Sequence, residues 1–241
     1  MINLDNSYID KILIDDKMFN NSVNYTYFEL KQKGYHKIYY LIKNNPTSFS
    51  NLFYDCRNLI SIHFSSNINT TRIINLNYMF GYCNSLISVD VSNFDTSSVK
   101  YMENMFYICY NLKSINLNNM NTSQVENMNG MFRYCKSIKS LYLANFNVQN
   151  VRSFSYMFDN CISLINLTLP DLYSGNVLES TNNMFSYCSK LTSIDFLTFD
   201  LSNVENMESM FLGCSSLEIF HIYPYSYRKM HLVNNLPTYN Y

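Results

Sequence analysis

Seven cysteines stand at intervals of 27, 26, 26, 26, 27 and 26 residues: Cys56, Cys83, Cys109, Cys135, Cys161, Cys188 and Cys214. Thiolates in such numbers could bind zinc, close disulfides or act as nucleophiles. Zinc sites draw ligands from close pairs such as CxxC, and the sequence has none; an odd count also fits no complete set of disulfides. The even spacing suits a small, readily buried side chain repeated along a core. Equivalent positions in neighbouring turns of a stacked chain would lie ~5 Å apart, so an occasional disulfide stays within reach.

A second candidate is nucleophilic catalysis. Seven residues after each cysteine comes His63, Asp90, Asn116, Tyr142, Thr168, Asp195 or His221, and two residues before these comes a row dominated by serine, including Ser61, Ser88, Ser114, Ser140 and Ser193. If strands stack in register, Ser88, His63 and Asp90 become neighbours and suggest a Ser-His-Asp hydrolase. The serine recurs in turns without histidine, however, and neither a Gly-rich elbow nor a source of oxyanion donors accompanies it. It reads as a requirement of the repeat, a small polar residue on a crowded parallel sheet. His63 and His221 are six turns apart, roughly 29 Å at strand spacing, too far to share a metal. Asp90 and Asp195, four turns or roughly 19 Å apart, cannot work on one bond. No cofactor, metal site or enzymatic activity is expected.

What these rows can do is bind. The candidate partner-binding face comprises His63, Asp90, Lys113, Asn116, Lys139, Tyr142, Thr168, Asp195 and His221, with a protein as the expected partner. Tyr142 with its neighbouring lysines supplies interface-type chemistry. Tyr82, Tyr107, Tyr110, Tyr134, Tyr156 and Tyr187 form a competing surface on the opposite side of each turn.

The elements that would position these residues follow from the repeat. Three residues after each cysteine stands Leu59, Leu86, Leu112, Ile138, Leu164, Leu191 or Leu217; three further on, Ile62, Val89, Ile115, Leu141, Leu167, Ile194 or Phe220; two beyond that, Phe64, Val91, Leu117, Leu143, Leu169, Phe196 or Ile222. The last two rows are two apart and point to one face of a strand. One short parallel strand per turn follows. A polar corner such as Asp95-Thr96-Ser97-Ser98 comes next, suited to a turn or helix cap. Val99, Met102, Met105, Phe106, Cys109 and Leu112 then recur at spacings of three and four, which predicts a short helical segment. The expected fold is an α/β repeat solenoid, with one short parallel strand and one short helical segment in each turn of 26–27 residues.

The expected organisation has three parts: 1–45, a non-repeat N-terminal cap; 46–222, about seven solenoid turns; and 223–241, a Tyr/Pro-rich C-terminal cap or tail. Within the first part, Ile9 to Phe19 has a weak helical spacing, while Tyr25 to Leu30 and His36 to Lys43 read as a strand hairpin about Lys33-Gly34. Charged residues are 15% of the chain and its formal net charge is −1, which provides no clustered basic field for nucleic acid. No stretch approaches the ~18 apolar residues of a membrane span. The opening MINLDNSYIDKILIDD lacks the basic and long apolar regions of a signal peptide.

The unit Asn93-Phe94-Asp95-Thr96-Ser97-Ser98-Val99-x-x-Met102-x-x-Met105-Phe106-x-x-Cys109-x-x-Leu112-x-Ser114-Ile115 resembles the BspA-type leucine-rich repeats of bacterial and protist surface proteins. The resemblance spans about residues 50 to 222. It implies a right-handed leucine-rich-repeat solenoid, a cell-surface or secreted location, an adhesive interaction role and no enzymatic activity. An intracellular scaffold, cytoplasmic and purely structural, is the alternative expectation.

Overall fold

The computed structural model describes residues 46–64, 68–173 and 175–222, together with the backbone of 2–3, 9–14, 17–20, 27–28 and 38–42. Among the described residues, five strands fall in the non-repeat part: β1 (Ile2–Asn3), β2 (Ile9–Ile14), β3 (Lys17–Asn20), β4 (Tyr27–Phe28) and β5 (Ile38–Ile42). β2 lies between β3 and β5, antiparallel to both, and β1 pairs antiparallel with β4. The helical spacing of Ile9 to Phe19 is not realised. Its β-branched and aromatic residues instead pair across strands, Ile12 with both Phe19 and Tyr40, a setting that favours them. β4 and β5 arise within the two segments read as a hairpin, but each pairs with a different strand. The segment 223–241, read as a cap or tail, lies outside the described residues.

Seven short strands follow: β6 (Ser61–Ile62), β7 (Ser88–Asp90), β8 (Ser114–Asn116), β9 (Ser140–Tyr142), β10 (Asn166–Thr168), β11 (Ser193–Phe196) and β12 (Ile219–Ile222). They form three parallel ladders, β6–β7–β8, β9–β10 and β11–β12. Parallel bridges along Ser48, Asn75, Tyr101, Asn127, Ser153, Ser180 and Asn206 tie the turns together at a second position. Parallel strands recurring one per unit make this part of the chain a solenoid of stacked turns.

Its interior is a set of columns. Phe53, Phe80, Phe106, Phe132, Phe158, Phe185 and Phe211 stack ring on ring, consecutive centroids 5.4 to 5.8 Å apart and planes within 11°. Beside them run the buried Met79, Met105, Met131, Met157, Met184 and Met210, and the buried cysteines. Each side chain meets a copy of itself above and below, so a residue type that packs well once packs well along the whole column.

Among the described residues there is no helix. Where a helical segment is expected, every second amide leaves the local chain. The N–H groups of Met102, Asn104, Phe106 and Ile108 donate to the carbonyls of Asn127, Asn129, Met131 and Arg133 in the next turn. Amides between them close four-residue turns, as Tyr107 to Asn104 and Cys109 to Phe106. An α-helix needs each amide to reach back four residues within its own segment, so this bonding pattern excludes one. The backbone also reverses hand twice per turn: Asn104 and Ile108 have φ of 54° and 61°, and the equivalents Tyr78 and Tyr82, Gly130 and Tyr134, Tyr156 and Asn160 behave alike. Chained turns place every third side chain inward, and that spacing imitates a helix.

Ile108 is the poorest resident of these left-handed positions, since a β-branched side chain there is strained by roughly 1–2 kcal/mol. Asparagine or aspartate fills the equivalent site at Asn160 and Asp55. Ile108→Asn is therefore expected to raise the melting temperature, by about 2–4 °C for a net gain near 1 kcal/mol; thermal unfolding followed by circular dichroism measures it.

The corners consume much of the polar sequence. Asp95, Asn121 and Asn147 each accept the amide two residues on. Beneath them the buried Thr122 hydroxyl donates to the Asn147 carbonyl at 2.9 Å and accepts the Asn147 amide at 2.8 Å, as Thr96 does with Asn121. Thr122→Val keeps the shape and orphans both backbone groups of Asn147. A loss of about 1–3 kcal/mol is expected in urea unfolding.

Candidate functional site

The strand face collects the row predicted from sequence. Pairing places Asp90 opposite Asn116, Tyr142 opposite Thr168, and Asp195 opposite His221. His63 follows the Ile62–Val89 pair and so stands beside Asp90. Lys113 and Lys139 precede β8 and β9. All nine candidate residues are exposed except Asn116, which is half-buried. Strand stagger spreads them along the solenoid; only neighbours on adjacent turns come together.

Three members of the row have a local task that spacing alone did not show. Asp90, Asn116 and Asp195 accept the amides of Ser92, Asn118 and Leu197, closing the strand into its corner. The Ser92 hydroxyl, then its amide, hold the Asp90 carboxyl below the usual carboxylate range, with smaller help from Asn116 and His63. At the far end, His221 Nδ1 and Asp195 Oδ2 are 3.9 Å apart and both are exposed. Ser88 pairs with Ser61 and Ser114, two residues along the strand from where His63 stands beside Asp90, and the Asp90 carboxylate is engaged by Ser92.

None of the seven cysteines is in a disulfide, and all are buried. Six thiols donate to phenylalanine carbonyls of the preceding turn: Cys83 to Phe53, Cys109 to Phe80, Cys135 to Phe106, Cys161 to Phe132, Cys188 to Phe158 and Cys214 to Phe185, at 3.0 to 3.2 Å. Burial pushes these thiols well up, Cys214 to about 12. A protonated, hydrogen-bonded thiol is a poor nucleophile and a poor metal ligand. Among the described residues, no three His, Cys, Asp or Glu side chains are grouped to hold a metal ion.

The opposite face carries a feature that sequence spacing only outlined. Tyr54, Tyr78, Tyr82, Tyr107 and Tyr134 touch edge to face in a continuous plate, with centroids 5.2 to 6.2 Å apart. Burial, then a hydrogen bond with Tyr82, push the Tyr107 hydroxyl up to about 12. Arg133 lies over the rings of Tyr107, Tyr134 and Tyr156 and pairs with the buried Asp159 at 2.8 Å. Neither Arg133 nor Asp159 stands out in the sequence, because the charge occurs once in each slot rather than repeating. Their slots are equivalent in successive turns, and that correspondence was the available signal.

A family model described as Mycoplasma protein of unknown function, DUF285, matches residues 47–169 and 138–230. No curated protein and no solved structure matches the chain. No helix among the described residues is long and apolar enough to cross a membrane.

Proposed function

As the chain belongs to the Mycoplasma family of unknown function DUF285, we propose that it is a non-enzymatic, surface-associated and adhesive module that binds a protein partner through the strand face. The reading includes the finer assignment to BspA-type leucine-rich repeats. The observation that carries it is the exposed row His63, Asp90, Tyr142, Thr168, Asp195 and His221, mounted on strands whose other face is locked in a continuous core. A rigid, extended surface of this kind suits recognition. Chemistry has less support: in both places where Ser, His and Asp fall together on the strand face, at Ser88, His63 and Asp90 and at Ser193, Asp195 and His221, the aspartate accepts a backbone amide at the strand end, and the thiols are buried.

Surface biotinylation of intact source cells, followed by mass spectrometry, tests the location. Labelled peptides with unlabelled cytosolic controls are expected. Protection from the label would remove the adhesive reading in favour of an intracellular scaffold. Ester or peptide turnover abolished by Ser88→Ala would remove the non-enzymatic one.

A further inference from the structure

One row of the solenoid stacks opposite charges over four turns. Lys100, Glu126, Arg152 and Glu179 occupy equivalent slots of four successive turns, with Lys100 and Glu126 3.0 Å apart and Arg152 and Glu179 2.7 Å apart. Signs alternate over these four turns, and Glu205 in the next equivalent slot then repeats the sign of Glu179.

The slot at the start of the strands breaks this pattern. It reads Ile87, Lys113, Lys139 and Ile165, and all four are exposed. The Lys113 amide donates to the Ile87 carbonyl at 2.8 Å and the Ile165 amide to the Lys139 carbonyl at 2.9 Å, which fixes the register of each half. Two like charges therefore occupy matching slots of adjacent turns, an arrangement that costs stability. Among the described residues, neither ammonium has a carboxylate within ion-pair distance, whereas Arg57, Lys100, Arg133 and Arg152 do. The same step is one of two, with β10 to β11, that no ladder joins among the described residues. Beside it, Tyr142 is the most exposed large hydrophobic residue among the described residues, at 64%.

We infer that the β8–β9 step of the strand face is the docking point for an acidic peptide segment of a protein partner. A carboxylate side chain of that segment sits between Lys113 and Lys139, and an adjoining aromatic or aliphatic residue lies on Tyr142, flanked by Ile87 and Ile165. Charge complementarity selects this occupant: the pair has no counter-ion among the described residues, and Asp90 and Asp195 further along the face repel an acidic chain that slides away from the centre. The inference rests on the reading of the strand face as the binding surface and names its partner's chemistry.

Binding of the full chain to a random glutamate–tyrosine copolymer, to poly-L-lysine and to inorganic triphosphate tests it. The copolymer is expected to bind with an affinity that falls steeply with salt, poly-L-lysine to bind at least tenfold more weakly. Lys113→Glu with Lys139→Glu should weaken the copolymer at least tenfold, and Tyr142→Ala several-fold. Lys113→Glu alone restores alternating signs, so it should lose binding while its melting temperature is unchanged or higher, which separates a binding defect from misfolding. Equal copolymer binding by the double variant, or triphosphate binding as tight as the copolymer through the same lysines, would overturn the inference. Cell adherence unchanged in the double variant would also overturn it and leave the proposed function standing. Failure of surface labelling would remove the proposed function while copolymer binding remained measurable.

Discussion

Met131→Asp is expected to leave most of the chain unfolded at 25 °C. Met131 is fully buried in a column with Met105 above and Met157 below, and nothing cationic belongs to that column. The substitution removes packing and places a carboxylate where it must either stay charged without a partner or take up a proton. Together these cost about 5 kcal/mol or more, a large part of the 5–15 kcal/mol that holds a typical domain folded. Asp159 shows what a buried carboxylate needs here: Arg133 at 2.8 Å and the Asn160 amide at 2.7 Å. Cys135→Asp should behave like Met131→Asp, whereas Met131→Leu should cost less than about 1.5 kcal/mol. Circular dichroism melts compare the three. Wild-type melting of either aspartate variant would mean that the column does not face inward.

The second large effect is alkaline unfolding. An unfolded cysteine ionises near pH ~8.5, but burial keeps Cys83, Cys109, Cys135, Cys161, Cys188 and Cys214 protonated in the folded chain to higher pH. Above ~8.5 the unfolded state binds fewer protons than the folded one, so stability is full below that pH and declines as pH rises toward the folded values. Each thiol removes about 1.4 kcal/mol per pH unit, and six remove on the order of 8 kcal/mol. Cooperative unfolding should follow between about pH 9 and 10.5, a window that opens below the ordinary tyrosine and lysine pKa values of about 10 and 10.4. Urea unfolding at a series of pH values gives the slope, which should shrink by about 1.4 kcal/mol per pH unit for each of these cysteines replaced by alanine. A flat profile across that range would contradict the thiol burial.

The repeat, its strands and its buried columns were legible because periodicity and burial leave a direct mark on residue type: Met105, Phe106, Cys109, Leu112 and Val89 each recur at a fixed interval. The backbone between them was not. Inward spacings of three and four are common to a helix and to chained turns, and they separate only through φ at positions such as Asn104 and Asn160. Gly130 and Gly213 in those same slots, exchanged with Asn51, Asn183 and Asp55, were the sequence trace of the left-handed conformation. On the candidate face the residues were found, but their local duties were not. Asp90, Asn116 and Asp195 looked like free surface chemistry, although their carboxyl or amide oxygens close the strand ends. Pairings that occur once, such as Arg133 with Asp159, leave no periodic mark and emerge only when slots are aligned between turns.

The matching of each turn to the next has a genetic corollary. Because the amides of Met102, Asn104, Phe106 and Ile108 meet carbonyls that every turn presents at the same slots, a chain lacking one whole 26-residue unit would meet an equivalent set. Slippage or unequal crossing-over between the coding copies removes or adds a whole number of codons and so preserves the reading frame. The phenylalanine stack would simply lose or gain one ring. Such a gene can change the length of its product in quantised steps, moving charged landmarks such as Lys113 and Lys139 nearer to or farther from either terminus while leaving the spacing within each landmark intact.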